Sequence, residues 1–311
     1  MQILQRERRF PSTSRLCDIR YRMWIPDEIR GAIQITHGMS EHIDRYNDFA
    51  MYLAAQGFLV YGMDNISHGK SIKPDMPKGF FGTEHGWDCL IDDMHTLYEL
   101  VSRDYPATAF ILMGHSMGSF MARSYAARFP NDFQAYIFSG TAGKNPLAKI
   151  GRVIARREIK KGVGLEPSLK LHALGAGAYN KKYKNPRTEV EWLSCDTEIV
   201  DRYVADPMCG FPFTPYGMVD LLTGLIEISS IKWARSVPNK PILLISGEKD
   251  PVGSCSKGVR QVEKWLKHSG HTVSCKLYSE GRHEMLNELN KDEVYDDLLL
   301  FLETILVMGE A

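Results

Sequence analysis

Six short apolar runs alternate with helical stretches along this chain, and that alternation constrains the fold more than any other feature. The runs are "GAIQITHG" (31–38), "FLVYGMDN" (58–65), "AFILMGHS" (109–116), "AYIFSG" (135–140), "KPILLISGEKD" (240–250) and "TVSCKLYSE" (272–280). Helical spacing occupies 41–57, 86–103, the segment after Ser116 up to Pro130, 256–268 and 292–307. Strands that are nearly all apolar and separated by helices predict a mostly parallel sheet covered on both faces. Residues 1–25 read differently, as two strands around a turn at "PSTS".

The rhythm breaks once. From Thr141 to Ser236 the chain is helical and irregular, with basic runs "RVIARREIKK" (152–161) and "KKYKN" (181–185). This predicts a sheet domain, 1–140 with 237–311, and an inserted helical lid, 141–236. An insertion between parallel strands emerges at one end of the sheet, where it can roof a site.

Bulk properties exclude several classes. Lys plus Arg and Asp plus Glu are 38 each in 311 residues, so no basic excess points to nucleic acid. No apolar run of about 18 residues would span a membrane. The first ten residues, "MQILQRERRF", lack the apolar core of a secretory signal. Six cysteines are scattered without a C-x-x-C pair, which suits reduced thiols and a cytoplasmic protein better than a disulfide framework or a zinc site.

The chemistry centres on "ILMGHSMGSF" (111–120), where G-x-S-x-G sits between an apolar strand and a helix. A serine on such a turn is thrust clear of the backbone, and the flanking glycines permit strained dihedrals and close helix-on-strand packing. Ser116 is the candidate nucleophile. It needs a base, and the base an orienting acid, in the order Ser, Asp or Glu, His. Asp250 in "GEKDPVG" and His283 in "GRHEML" both follow late strands, at the same sheet end as Ser116. Glu248 is the alternative acid. The oxyanion donors expected of such a site are the backbone N–H groups of Met117, after the nucleophile, and Met39, in the early loop "THGMSEH" (36–42). No metal or organic cofactor is required.

These segments resemble a known family. "HGMSEHIDRY", with His37, Gly38, Glu41, His42, Arg45 and Tyr46, "DNISHGKS", with Asp64, His68, Gly69 and Ser71, and "GHSMG" resemble the α/β-hydrolases of the monoacylglycerol lipase and bacterial lysophospholipase group. Ser67 stands where glycine is usual, and Ser119 where a second glycine often follows. "WLSCDTEIVDRYVADPMCGF" (192–211) is similar to the lid of the lysophospholipase-like members, with Cys195 where Arg is frequent. The resemblance implies a serine hydrolase that cleaves lipid esters, monoacylglycerol or lysophospholipid, through an acyl-enzyme. A short-chain or aryl carboxylesterase stays open. So does a peptidase, which would use lid acids among Glu189, Glu191, Asp196, Glu198 and Asp201 to hold a free amine. Leu165, Leu169, Leu171 and Leu174 are candidates for an apolar acyl wall. The basic runs are candidates for peripheral contact with anionic lipid. The expected partner is a small acyl ester. Oligomeric state is not legible.

Overall fold

The six apolar runs become six neighbouring parallel strands. The computed structural model describes residues 2–106, 109–183 and 185–310, so Lys184 of the second basic run lies outside the described residues. The strands are β1 (Leu4–Pro11), β2 (Asp18–Ile25), β3 (Gly31–Thr36), β4 (Phe58–Met63), β5 (Phe110–His115), β6 (Ala135–Ser139), β7 (Ile242–Gly247) and β8 (Val273–Tyr278). Their spatial order is β1-β2-β4-β3-β5-β6-β7-β8. Only β2 runs against its neighbours, pairing antiparallel with β1 and with β4. Every residue of β3 to β7 is buried. At the sheet edge, β1 is almost wholly exposed, which is why "LQRERRFP" carries charge where the central strands cannot.

Alternation along each strand sends side chains to two separate cores. Ile111 and Met113 of β5 join Ile33, Ile35 and Val60 on one face. There α1 (Asn47–Ala55) and α10 (Lys291–Glu310) cover them, through residues such as Phe49 and Leu298. Phe110 and Leu112 face the other way, among residues of α2 (Gly86–Asp104), α3 (Met117–Arg128) and α9 (Lys257–His268). Each fully buried Leu or Ile contributes roughly 1.5–3 kcal/mol. The helix expected over 41–57 forms in two parts, a 3₁₀ turn at Ile43–Tyr46 and then α1.

Between β6 and β7 the described residues form helices and loops only: α4 (Leu147–Lys160), α5 (Leu169–Leu174), a 3₁₀ stretch at Ala176–Lys182, α6 (Thr197–Ala205), α7 (Pro215–Ile228) and α8 (Ile231–Ser236). One buried cation fastens both roots of this segment. Arg123 of α3 donates from Nη1 to the Ala142 carbonyl at 2.8 Å and from Nη2 to the Ile228 carbonyl at 2.7 Å. It also lies 4.1 Å from the Trp233 ring centroid, and Trp233 Nε1 donates to the Arg123 carbonyl. Burial without a carboxylate partner lowers the Arg123 pKa to about 9, and carbonyl oxygens take the place of a counter-ion.

Helix α7 crosses α2 at glycine. A Cβ added at Gly224 would stand 2.0 Å from Trp87 Cε2, so only glycine allows this approach. Gly224→Ala is expected to cost about 1–3 kcal/mol by overpacking. Gly177→Ala, inside the 3₁₀ stretch, whose added Cβ meets nothing closer than 3.3 Å, serves as the milder control. Thermal unfolding of the two variants beside the parent checks this. Equal melting temperatures would show that the crossing has slack.

Candidate active site

Ser116 sits between the last residue of β5 and the first of α3, with φ 53° and ψ −121°. That conformation costs a non-glycine residue on the order of 1–3 kcal/mol. The strain is carried by the serine itself. Neither Gly114 nor Gly118 has positive φ, and both serve packing instead. A Cβ on Gly114 would lie 2.2 Å from the Gly118 carbonyl oxygen, and one on Gly118 would lie 2.1 Å from the Thr36 carbonyl oxygen of β3. The elbow is held open by Ser116 N–H donating to the Ser139 carbonyl, at 2.9 Å, and by the Ser119 and Phe120 N–H groups donating to the Ser116 carbonyl. Ser119 also donates its hydroxyl to that carbonyl, at 2.6 Å.

The loops after β7 and β8 meet beside it. Gly247 and Gly281 approach so closely that a Cβ on Gly247 would stand 2.1 Å from Gly281 backbone, and Lys249 N–H donates to the Gly281 carbonyl. This contact sets Asp250 against His283. Asp250 is fully buried. Its Oδ2 lies 3.0 Å from His283 Nδ1 and accepts from Ser246 Oγ at 3.2 Å, while Oδ1 accepts from the Val252 N–H at 2.8 Å. With Nδ1 engaged, Nε2 is the ring nitrogen left over; His283 and Ser116 line one cavity, and among the described residues no hydrogen bond joins the Ser116 hydroxyl to the ring. Burial opposes charge on this ring. The Asp250 carboxylate outweighs burial, and the pKa lies above the usual 6.5. The ring is flanked by His115, at 4.6 Å between centroids, and by Trp192, at 5.1 Å. Glu248, the alternative acid, is exposed on the same loop and is not among the partners of His283.

Met39 and Met117 both line the same cavity, and among the described residues no protein group accepts from either backbone N–H. The loop bearing Met39 is built from the motif residues around it. Glu41 Oε1 accepts from Gly38 N–H at 2.5 Å and from Tyr46 OH at 2.9 Å. Glu41 Oε2 accepts from Arg45 Nη1 at 2.6 Å, and Arg45 reaches across to Glu284, beside His283, with both Nη atoms at 2.7 and 2.6 Å. His37 Nε2 accepts from Asn65 N–H, and His68 Nε2 accepts from Ser40 N–H. Burial holds the pKa of both rings at about 3, so both are neutral with the proton on Nδ1. Asp64 accepts from the Ile43 and Lys70 N–H groups and leaves no room for a side chain at Gly69. Ser67 has φ 59°, which accounts for glycine being usual there, and its hydroxyl accepts from Phe80 N–H.

The cavity has a volume of about 320 Å³. Its walls include Phe120, Leu171, Tyr179, Trp192 and Leu193, and one face of α7 formed by Met218, Leu221, Leu222 and Leu225. Of the four leucines expected to form an apolar wall, Leu171 does so. Leu165, Leu169 and Leu174 are exposed on the outside. The α7 face was the missed wall, though its i, i+3, i+4, i+7 spacing was there to be read. The acids considered for amine binding are used elsewhere. Glu191 pairs with Arg187 and Arg282, Asp201 with Arg187, Glu198 with Arg202, and Asp196 caps α6. None of these, nor Glu189, lines the cavity, and the two carboxylates that do, Glu41 and Glu284, are both paired with the single guanidinium of Arg45.

Residues 27–290 match the family described as serine aminopeptidase, S33. The chain is 30% identical over 290 residues to a monoacylglycerol lipase of Mycolicibacterium smegmatis, covering 89% of this chain and 90% of that protein. It is 26% identical to the monoglyceride lipase of Mus musculus, over 86% of this chain and 80% of that protein. Among solved structures it superposes on a thermostable carboxyl esterase from Bacillus coagulans, in complex with glycerol, with TM-score 0.93 and 31% identity, over 98% of this chain and 100% of that one.

The three ring environments can be told apart by NMR titration of histidine nitrogens. His283 is expected to titrate above 6.5 and, in Asp250→Asn, to fall below it, because burial alone then acts on the ring. His37 and His68 are expected to stay neutral with the proton on Nδ1 down to about pH 3. A His283 resonance indifferent to Asp250→Asn would refute the electrostatic account.

Proposed function

The chain belongs to the serine aminopeptidase S33 family of α/β-hydrolases and is an ester-hydrolysing serine hydrolase, and we propose that it cleaves monoacylglycerols by way of Ser116, His283 and Asp250. The observation that carries the substrate reading is the cavity at Ser116: apolar on most sides, with both of its lining carboxylates, Glu41 and Glu284, already engaged by Arg45. A fatty acyl chain suits such walls, and the named relatives point to glycerol as the leaving group.

In this reading Ser116 Oγ attacks the ester carbonyl as His283 Nε2 takes its proton. Asp250 holds the ring in the required tautomer and stabilises the imidazolium. The Met39 and Met117 N–H groups receive the oxyanion, each such donor being worth roughly 3–4 kcal/mol in the transition state. His283 then protonates the departing glycerol oxygen, and water frees the acyl group by the reverse sequence. Residues 141–236 act as a lid. Exposed Leu147, Ile150 and Val153 on α4, with Lys149 and Arg156 beside them, would set that lid against a lipid surface. No described helix is long and apolar enough to cross a membrane. A reducing compartment, the cytoplasm, suits six free thiols.

The test is purified protein against monoacylglycerols of graded chain length, lysophosphatidylcholines, p-nitrophenyl esters and aminoacyl amides. Long-chain monoacylglycerols are expected to give the highest kcat/KM, and Ser116→Ala to lower it by at least about a thousandfold. Preference for aminoacyl amides would favour the peptidase reading. Unchanged rates in Ser116→Ala would end the mechanism.

A further inference from the structure

His42, Asp206 and Cys209 bring an imidazole nitrogen, a carboxylate oxygen and a thiol sulfur within 4.8 Å of one another. They come from two parts of the fold. His42 follows Glu41 in the loop that carries Met39. Asp206 and Cys209 form a turn just after α6, closed by Cys209 N–H donating to the Asp206 carbonyl at 3.0 Å. The carboxylate is already oriented: Met208 N–H donates to Oδ1 at 2.8 Å, which turns Oδ2 toward His42 Nε2 at 2.9 Å. Support of this kind aims metal ligands.

One nitrogen, one oxygen and one sulfur are donors that zinc accepts, at about 2.0–2.3 Å each. Tetrahedral bonds of that length put ligand atoms about 3.3–3.8 Å apart, so the His42–Asp206 pair, at 2.9 Å, opens slightly and the Cys209 sulfur closes by at most about 1 Å. The nearby cation, Arg45, is no obstacle, because Glu41 and Glu284 together over-compensate it before Asp206 is counted. None of the three residues lines the cavity at Ser116, so an ion there stands outside the ester chemistry.

We propose that His42, Asp206 and Cys209, with one water molecule, form a zinc site that clasps the Met39 loop to the helical segment. Binding forms an S–Zn bond as the Cys209 proton leaves to solvent. His42 ligates through Nε2; the proton that joins Nε2 to Asp206 Oδ2 in the metal-free site moves to Nδ1 by exchange with solvent, so a neutral ring keeps one proton and the proton released per ion is that of Cys209. The clasp reinforces contacts already present: Ser40 Oγ donates to the Phe211 carbonyl at 2.6 Å, and Tyr203 OH and Gly210 N–H donate to the Ser40 carbonyl at 3.1 and 3.0 Å.

The full chain, washed free of metal, is titrated with cobalt(II) in phosphate-free buffer at neutral pH. The expected result is a thiolate-to-cobalt charge-transfer band that saturates at one equivalent, is bleached by zinc, and is absent in Cys209→Ser. Cys195→Ser, which alters another half-buried thiol, should keep the band. Asp206→Asn should weaken zinc binding at least about tenfold, and zinc should raise the melting temperature of the parent but not of Cys209→Ser. Circular dichroism of each variant establishes that it is folded. The absence of a band in the parent, or its persistence in Cys209→Ser, would overturn the site. Neither readout uses ester turnover, so failure here is separate from failure of the monoacylglycerol reading.

Discussion

The arrangement around Ser116 depends on one buried guanidinium. Arg45 joins two loops that nothing in the sheet connects directly: Glu41 ties it to the Gly38 N–H of one, and Glu284, the residue after His283, ties it to the other. Removing one partner of such a buried pair costs about 3–5 kcal/mol, yet the pair itself adds little net stability after desolvation. Its worth is positional. Two backbone donors and an imidazole must hold their places to within a fraction of an ångström, and loops alone would not do that. The helical segment is stitched to the same frame. The His283 and Glu284 N–H groups both donate to the Leu193 carbonyl, and Arg282 donates to the carbonyls of Glu191 and Ser194.

Close backbone approaches do the rest. Gly118 lies against Thr36 of β3 and Gly247 against Gly281, so the elbow, the Met39 loop and the two late loops crowd the C-terminal end of the parallel strands. Strain is confined to residues that the surroundings over-determine. Ser116 has its N–H and carbonyl both engaged, and Ser67 at φ 59° is fixed by its hydroxyl's bond to Phe80.

The sequence showed what local pattern can show. The central strands read as apolar runs because both their faces are covered, and the G-x-S-x-G turn between strand and helix marked Ser116 without any coordinates. Asp250 and His283 followed from their places after late strands. The wall of the cavity was harder. Leu165, Leu169 and Leu174 look identical in type to Leu171, and only the direction of the chain through a short, irregular stretch decides which one turns inward. The Met218 to Leu225 stripe on α7 has helical spacing, but spacing cannot tell a ligand-facing stripe from ordinary core. Contacts such as Arg123 to Ile228, or His42 to Asp206, link positions more than a hundred residues apart and leave no periodic trace.

Five histidines stand at this end of the sheet, and the environments of four, His37, His68, His115 and His283, give each a different capacity. His37 and His68 are locked by backbone N–H donors on Nε2 and by burial, so neither can accept a proton near neutral pH. His115 is buried against the His283 ring, and burial first, then that neighbour, lowers its pKa to about 4; its Nδ1 partner is the Ser139 hydroxyl. His283 alone has a carboxylate on Nδ1, and its pKa alone among the four is raised. A general base must be able to become cationic inside a desolvated site, and only a ring with a buried counter-charge can do so at modest cost. Among these four rings the fold supplies that counter-charge once, at Asp250, and so singles out one imidazole as the proposed base while using two of the others as neutral struts for the Met39 loop.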